Sequence, residues 1–420
     1  MRWTRTAGRC LLVLTVLFAG HAATVPPGAR PAARGPLTLA TAGDLTRYLG
    51  PLLSDWNRSH PRQRVELVEL PDSADESRSQ MITDLRDGGS RFDVLNIDVA
   101  WTSEFAAAGW ISPLDRSHFP LDAFLPPVVE TATFDGRLYA VPYVTNAGLL
   151  YYRKDILARE GVSPPRTWGE LARQAREIAP EYGLEGYAGQ FLPYEGLTAN
   201  VTEAVRSAGG SLIGGEGAEV TVDGAAREGL EFLASGVREG WIPREALSYK
   251  EEESRMAFQD GRLLFLRNWP YVYPLANGTG SRVAGEVGAV RLPGPHGPGT
   301  SVLGGSNLAV SRNAEHPETA ADLIAYLTSE RVQRRVLTEG ALPPVRADLY
   351  TDPELVEQHP YLPTLEESIL TAEPRPKSPH YDQVSLAVQA VAHDVLALRQ
   401  QAGPAAARLR RELTEISERD

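Results

Sequence analysis

The sequence predicts an α/β protein built from two lobes. The chain has 420 residues, which is more than one domain needs to form a hydrophobic core. Short apolar runs alternate with amphipathic helical stretches along most of it. Strand-like segments occur at both ends of the middle block, and a single sheet holding all of them would be very large. We therefore expect two α/β lobes, with the chain crossing between them more than once.

The first region has a βαβαβ pattern. Strand-like runs at 37–42, 64–71 and 92–98 are separated by helical spacing over 45–59 and 76–88. The run at 92–98 is mostly apolar, as in a parallel strand that is covered on both faces. This order predicts a doubly wound sheet that binds ligands at the carboxyl ends of its strands.

The later regions repeat the alternation of strands and helices. Strands are predicted at 138–144, 148–154, 262–269 and 306–311. Helices are predicted at 168–178, 224–240, 317–340 and 381–417, with Gly340 as the stop of the third.

The N-terminus has the pattern of a secretory signal peptide over residues 1–23. Arg2, Arg5 and Arg9 precede an apolar run at 11–19, and small residues follow it. The alternative is a buried helix, which the Pro- and Ala-rich segment after it disfavours. We expect residues 24–36 to form a disordered linker and the mature chain to be secreted or associated with the cell surface. A lipid anchor is not supported because Cys10 precedes the apolar run.

Composition argues against several classes of function. The formal net charge of −12 disfavours nucleic-acid binding, which needs a basic face. Cys10 is the only cysteine, so neither an internal disulfide nor a cysteine metal site is expected. The eight histidines show no pair at ligand spacing, and we expect no metal and no cofactor.

Six stretches in order resemble the extracellular solute-binding proteins of carbohydrate ABC importers (family 1), of the trehalose/maltose-binding type. They are DVLNIDVAWTSEFAAAGWISPL (93–114), YAVPYVTNAGLLYYRKDIL (139–157), PYEGL (193–197), EEESRMAFQDGRLLFLRNWPYVY (251–273), LGGSNLAVS (303–311) and EPRPKSPHYDQVS (373–385).

The resemblance implies a two-lobed periplasmic-binding-protein-like fold (type II) with a ligand cleft between the lobes. It further implies a monomer that closes around a sugar, delivers it to an ABC permease and catalyses nothing. We expect the N-terminal lobe at 37–145 and 307–355, and the C-terminal lobe at 146–306 and 356–420. Trehalose is the first expected ligand, and a maltose-like α-glucoside is the next.

A sugar site needs carboxylates, amides and arginine for hydroxyl groups, and aromatic faces for the C–H side of the ring. Asp98 ends an apolar strand where doubly wound sheets bind ligands, although it could instead cap the following helix. Asn146 follows a strand in VTNAG, where an amide can donate and accept; a turn residue is the alternative.

The resemblance adds further candidates with their structural alternatives. Trp269 and Tyr271 in NWPY match a stacking platform, but could belong to the core. Arg375 between two prolines matches a hydroxyl-clamping arginine, but could be a surface charge. Gly304 and Gly305 would allow close backbone approach to a ligand, or form a hinge or bulge.

Weaker candidates also follow from the resemblance. Asp44 follows the first strand, where the family has an acidic contact, and Ser73 and Arg78 match a hydroxyl and an arginine. Tyr194 and Glu195 match the YEG motif of the family.

The predicted sugar site includes one further candidate residue, and the sequence departs from the family pattern at two positions. The run 251–253 offers Glu251 as a carboxylate, although such charge runs are usually solvated. Ser306 stands where some relatives have tryptophan, and Val144 replaces an aromatic or polar residue. We therefore expect a roomier pocket or one suited to a different sugar.

Two other functions are compatible with a secreted sugar-handling chain. A glycosidase would need two carboxylates that flank the scissile bond, and the many acidic residues do not exclude such a pair. A sensor would present the bound sugar to a receptor without transport.

Overall fold

A computed structural model of the chain describes residues 34–86, 88–214 and 219–418, apart from the side chains of Asp44, Leu45 and Arg47. The predicted signal peptide and the first part of the predicted linker lie outside the described residues.

The strands, in chain order, are β1 (Leu37–Ala42), β2 (Val65–Leu70), β3 (Val94–Asp98), β4 (Thr133–Phe134), β5 (Arg137–Leu138), β6 (Ala140–Ala147), β7 (Leu149–Arg153), β8 (Glu185–Ala188), β9 (Ile213–Gly214), β10 (Glu219–Val220), β11 (Leu263–Asn268), β12 (Val287–Arg291) and β13 (Leu303–Val310).

The helices, in chain order, are α1 (Gly43–Ser59), α2 (Ala74–Arg86), α3 (Thr102–Ala107), α4 (Pro126–Thr131), α5 (Lys154–Arg159), α6 (Trp168–Glu177), α7 (Glu195–Ser207), α8 (Gly224–Glu239), α9 (Glu251–Gln259), α10 (Val272–Asn277), α11 (Pro317–Leu327), α12 (Glu330–Gly340), α13 (Pro353–Gln358), α14 (Leu362–Leu370), α15 (Tyr381–Leu396) and α16 (Ala402–Ser417).

The first lobe contains a five-stranded sheet in the order β2-β1-β3-β13-β6. β1 pairs in parallel with β2 and β3, which confirms the predicted βαβαβ arrangement. β13 enters from much later in the chain and runs antiparallel to both β3 and β6. The helix α1 covers this sheet with the buried apolar face that its spacing predicts, formed by Leu49, Leu52, Leu53 and Trp56.

The second lobe contains a four-stranded sheet in the order β12-β7-β11-β8. β7 is antiparallel to β11 and β12, and β11 is parallel to β8. Every residue of β11 is buried, as its apolar run predicts. α7 packs against α8 and α15 in this lobe.

Two predicted helices are each interrupted. The predicted helix at 317–340 consists of α11 and α12, because Ser329 has an extended backbone (φ −66°, ψ 151°) before Glu330 starts the second helix. The helical tail consists of α15 and α16, separated at 397–401, where Leu398 has φ 59°. Local spacing predicted helix in both places but could not locate the turn between two helices.

Three segments connect the lobes, and we call them the crossing segments: 147–149, 300–303 and 371–373. The first joins β6 directly to β7, and the second leads from the second lobe into β13. The third lies beside the second, with Leu303 N donating to Glu373 O at 2.9 Å and Glu373 N donating to Ser301 O at 3.0 Å. The expected lobe boundaries at 145/146 and 306/307 fall inside β6 and β13, and they stay predictions.

Candidate functional site

An arginine lies between two carboxylates where the lobes meet. Arg375 follows α14 and is only 4% exposed. Its Nη2 donates to Asp98 Oδ1 at the end of β3, and its Nη1 donates to Glu195 Oε1 at 2.5 Å. Asp98 comes from the first sheet, whereas Glu195 begins α7 in the second lobe. One guanidinium therefore joins acidic groups from both lobes.

Hydroxyl groups complete the surroundings of the Glu195 carboxylate. Tyr381 Oη donates to Oε1, and Ser385 Oγ donates to Oε2 at 2.6 Å. Burial opposes the positive charge of Arg375, but the adjacent Asp98, Tyr381 and Glu195 raise its pKa above the usual value. The arginine thus stays charged, and its Nε is buried without a hydrogen-bond partner among the described residues.

Asp98 also caps the helical turn that follows it, which the sequence offered as the alternative to ligand binding. Its Oδ1 accepts a hydrogen bond from Ala100 N at 2.9 Å, at the start of a 3₁₀ turn over Val99–Trp101. The side chain is 22% exposed, so capping and the ion pair leave part of the carboxylate accessible. Both predicted roles are compatible at this position.

A second group of candidates surrounds an indole. Trp269 Nε1 donates to Glu251 Oε1 at 3.4 Å, and Tyr194 Oη donates to Glu251 Oε2 at 2.6 Å. Nearby, Tyr271 Oη donates to Glu252 Oε1 at 2.7 Å. Glu251 therefore has two aromatic donors, unlike the exposed Glu252 and Glu253 in the same run.

Glycine at 304 allows Trp269 to reach the first sheet. A Cβ at Gly304 would lie 2.9 Å from Trp269 Cζ3 and 3.4 Å from Asn146 Cβ, and Asn146 is its register partner on β6. At Gly305, φ is 103° and a Cβ would overlap the carbonyl oxygen of Val144. Both glycines are thus required by the local packing of β13 against β6 and Trp269.

The two departures from the family pattern are neighbours in the sheet. Ser306 on β13 pairs with Asp98 on one side and Val144 on the other. Directly opposite residues project from the same face of a sheet, so the three side chains lie together. Ser306 is 8% exposed, and its buried Oγ has no recorded partner among the described residues.

The remaining candidates lie at or beyond the edge of this group. Arg78 Nε donates to Glu104 Oε2 at 3.0 Å, and Nη2 lies 3.5 Å from Asp382 Oδ2 of α15. Ser73 precedes α2, and its carbonyl oxygen accepts from Ser77 N at 2.9 Å. The side chain of Asp44 lies outside the described part of the structure.

Sequence reasoning missed a buried pair beneath Trp269. The Arg267 guanidinium carbon lies 4.0 Å from the centroid of the Trp269 ring. Arg267 Nη2 also bonds Glu203 Oε1 at 2.6 Å. The sequence signals only that Arg267 needs a buried partner, because it lies inside the apolar run RLLFLRNW, and does not signal which residue that partner is.

Two further features are absent from the described residues. Among them, no group of three or more His, Cys, Asp or Glu side chains is placed to hold a metal ion. In the same part of the chain, every helix is too short or too polar to cross a membrane.

Comparisons with known proteins agree with this architecture. The family model for the bacterial extracellular solute-binding protein matches residues 42–334. A probable ABC transporter-binding protein of Deinococcus radiodurans is 34% identical over 370 residues, which are 84% of this chain and 87% of the relative.

Solved structures show the same fold. A maltose-bound MalE3 of T. maritima has a TM-score of 0.84 and 34% identity, over 91% of this chain and 99% of its own. A solute-binding protein of Thermotoga lettingae TMO, bound with alpha-D-tagatose, has a TM-score of 0.81. It is 23% identical over 91% of this chain and 100% of its own, so it shows the fold alone.

The expected two-lobed α/β fold is confirmed by these neighbours. The family model covers well over half of the chain, and its members bind solutes rather than transform them. The chain therefore belongs to the bacterial extracellular solute-binding protein family and is not an enzyme.

Proposed function

We propose that this chain is the extracytoplasmic binding subunit of an ABC sugar importer and captures an α-linked glucose disaccharide. Trehalose is the first candidate, and a maltose-like disaccharide is the second. In this proposal the chain acts as a monomer, closes around the sugar and delivers it to the membrane permease.

The observation that carries the proposal is the meeting of two complementary groups at the lobe interface. Asp98, Arg375 and Glu195 provide charged acceptors and donors for sugar hydroxyls. Trp269, with Glu251 at its indole nitrogen, provides an aromatic face with an acceptor beside it. Maltose bound to a structural neighbour of 34% identity further supports a disaccharide of glucose.

The mechanism that we propose is closure by population shift. A sugar that touches Asp98 on one lobe and Trp269 on the other makes its full set of contacts only when the lobes are together. Because these contacts exist only in the closed form, the ligand favours that form. Polar groups arranged for hydroxyls would also reject sugars that lack them, because the groups would then be left unpaired.

Isothermal titration calorimetry on the purified protein tests the ligand class. Trehalose, maltose and mannitol are titrated separately into the wild type. We expect saturable binding of at least one of the two disaccharides, and tighter binding than that of mannitol. Failure of both disaccharides to bind, or stronger binding of mannitol, would contradict the proposal.

Replacing Trp269 with alanine tests the stacking platform. The loss of one aromatic face should weaken disaccharide binding by roughly 1–3 kcal/mol. Trp110→Ala is the matched control, because its indole also lies near an arginine, at 5.7 Å from Arg86 Cζ, but in the first lobe away from the site. Equal affinities of Trp269→Ala and the wild type would remove Trp269 from the site.

A further inference from the structure

We propose that Arg267 and Glu203 are positioning residues that couple the indole of Trp269 to the crossing segments between the lobes. The inference rests on the proposed function, in which Trp269 stacks on the sugar, and it assigns a second role to that same site.

The pair is held in place because it is buried and every nitrogen of the guanidinium donates a hydrogen bond. Arg267 is 1% exposed, and Glu203 is 4% exposed. Arg267 Nε donates to Glu203 Oε2 at 2.7 Å, and Nη2 donates to Oε1 at 2.6 Å. Nη1 donates to Gln190 Oε1 at 2.8 Å. A two-point arginine–carboxylate contact fixes the plane of the guanidinium.

On the side of the ligand site, this guanidinium supports the indole. Its carbon lies 4.0 Å from the centroid of the Trp269 ring, within the range of a cation–π contact. The backbone of Trp269 is also held, with its oxygen accepting from Tyr151 Oη at 2.8 Å and its nitrogen donating to Asn268 Oδ1 at 2.7 Å. The arginine lies over one face of the ring, and the proposed function places the sugar against the opposite face.

On the side of the hinge, the same carboxylate binds the crossing segment 300–303 directly and the segment 147–149 through the Ser301 hydroxyl. Glu203 Oε1 accepts from Ser301 Oγ at 2.9 Å and from Val302 N at 3.4 Å. Ser301 Oγ in turn accepts from Gly148 N at 2.6 Å. A Cβ at Gly148 would lie 2.5 Å from Glu203 Oε1, so glycine allows this approach.

In this proposal, rotation of the lobes therefore displaces the Arg267–Glu203 pair. Hinge motion changes backbone torsions in the crossing segments. The Ser301 hydroxyl and the Val302 N–H hold the Glu203 carboxylate directly, and the Gly148 N–H reaches it only through the Ser301 hydroxyl. A displaced carboxylate displaces the guanidinium that supports Trp269. By reciprocity, a sugar stacked on Trp269 favours the arrangement of crossing segments that keeps the pair intact.

A double-mutant cycle between Ser301→Ala and Trp269→Phe tests this coupling. Ser301→Ala removes the link between Gly148 and the carboxylate but keeps the ion pair, whereas Glu203→Gln would leave a buried charge unpaired. We expect Ser301→Ala to lower disaccharide affinity about 2- to 10-fold. Combined with Trp269→Phe, its effect should depart from additivity by about 2-fold or more.

Ser207→Ala provides the matched control. Ser207 Oγ accepts from Thr300 N at 3.0 Å, so it anchors the same crossing segment from α7, and its recorded bonds among the described residues do not include the ion pair. We expect the Ser207→Ala and Trp269→Phe cycle to be additive. Equal coupling in the two cycles would overturn the inference, because the effect would then be a general loosening of the segment.

The same cycles are measured on denaturant unfolding without sugar, which separates this inference from the proposed function. Coupling between Ser301 and Trp269 in the unfolding free energy of the unliganded protein supports the inference, whether or not a sugar binds. Failure of both trehalose and maltose to bind would overturn only the proposed ligand. Additivity of the Ser301 cycle in unfolding overturns the inference whether or not a sugar binds. Where a sugar binds, additivity in affinity overturns it as well.

Discussion

At the scale of single residues, Arg375 shows how charge is held at the lobe interface. Its guanidinium bonds Asp98 from one lobe and Glu195 from the other while almost wholly buried. Removing one partner of such an arrangement costs more than a neutral hydrogen bond, because the remaining charge loses its compensation. A ligand hydroxyl that bonds Asp98 therefore meets a carboxylate whose position is already held by Arg375.

Asp98→Ala should weaken disaccharide binding by about 2 kcal/mol or more, because the sugar loses a charged acceptor. The variant also loses a helix cap, which by itself lowers stability by about 1 kcal/mol. Asp115→Ala separates the two effects, because Asp115 caps another 3₁₀ turn through Ser117 N at 2.9 Å and lies away from the site. Calorimetry should show lost affinity only for Asp98→Ala; an equal loss in both variants would contradict the assignment.

Sequence reasoning located Asp98 at the end of an apolar strand, and the structure confirms that position at the end of β3. Its contact with a sugar stays a prediction, which rests on the rule that such sheets bind ligands at their strand ends. The partnership of Arg267 with Glu203 could not be predicted, because the two residues are far apart in the chain and lie on different elements, β11 and α7. Pairing of buried charges over such distances has no local signal.

At the scale of elements, β13 depends on a backbone that only glycine adopts readily. Gly305 has a φ of 103°, and its partner strand passes so closely that a Cβ would overlap the Val144 carbonyl oxygen. This geometry admits the strand between β3 and β6 and brings Ser306 beside Asp98.

Gly305→Ala should lower the free energy of unfolding by about 1–3 kcal/mol, because it adds both backbone strain and a steric overlap. Gly169→Ala is the control: Gly169 lies in α6, and a Cβ there would meet nothing within 4 Å. Denaturant titration should show no loss for the control, or a gain of up to about 1 kcal/mol. Unchanged stability of Gly305→Ala would show that the strand relaxes without cost.

Element prediction failed where packing outweighs local pattern. All of α7 except its last two residues is buried, including the polar residues Glu195, Thr198 and Glu203, so its polar positions do not mark a side that faces solvent. The strand at 306–311 was predicted and 307–355 was assigned to the N-terminal lobe, but the pairing of β13 with β3 was not predicted, because β3 lies about 200 residues earlier in the chain. The split of α11 from α12 depends on one extended residue, Ser329.

At the scale of the whole molecule, two ion pairs join the lobes beside the proposed sugar site. Arg375 with Asp98 is one, and Arg78 with Asp382 at 3.5 Å is the other. Glu203, which bonds the arginine over the Trp269 ring, binds the crossing segment 300–303 through Ser301, and the Ser301 hydroxyl in turn accepts from Gly148 N in the segment 147–149. The two-lobed fold could be predicted from alternating elements and from the family resemblance, whereas the pairing of individual lobe contacts required the structure.

A crystal structure of the protein with trehalose or maltose tests the central claim most directly. The account predicts one disaccharide between the lobes, with a sugar ring against the face of Trp269 opposite Arg267 and hydroxyl groups within hydrogen-bond distance of Asp98 and Arg375. A sugar bound elsewhere, or one that contacts a single lobe and leaves Trp269 and Asp98 untouched, would contradict it.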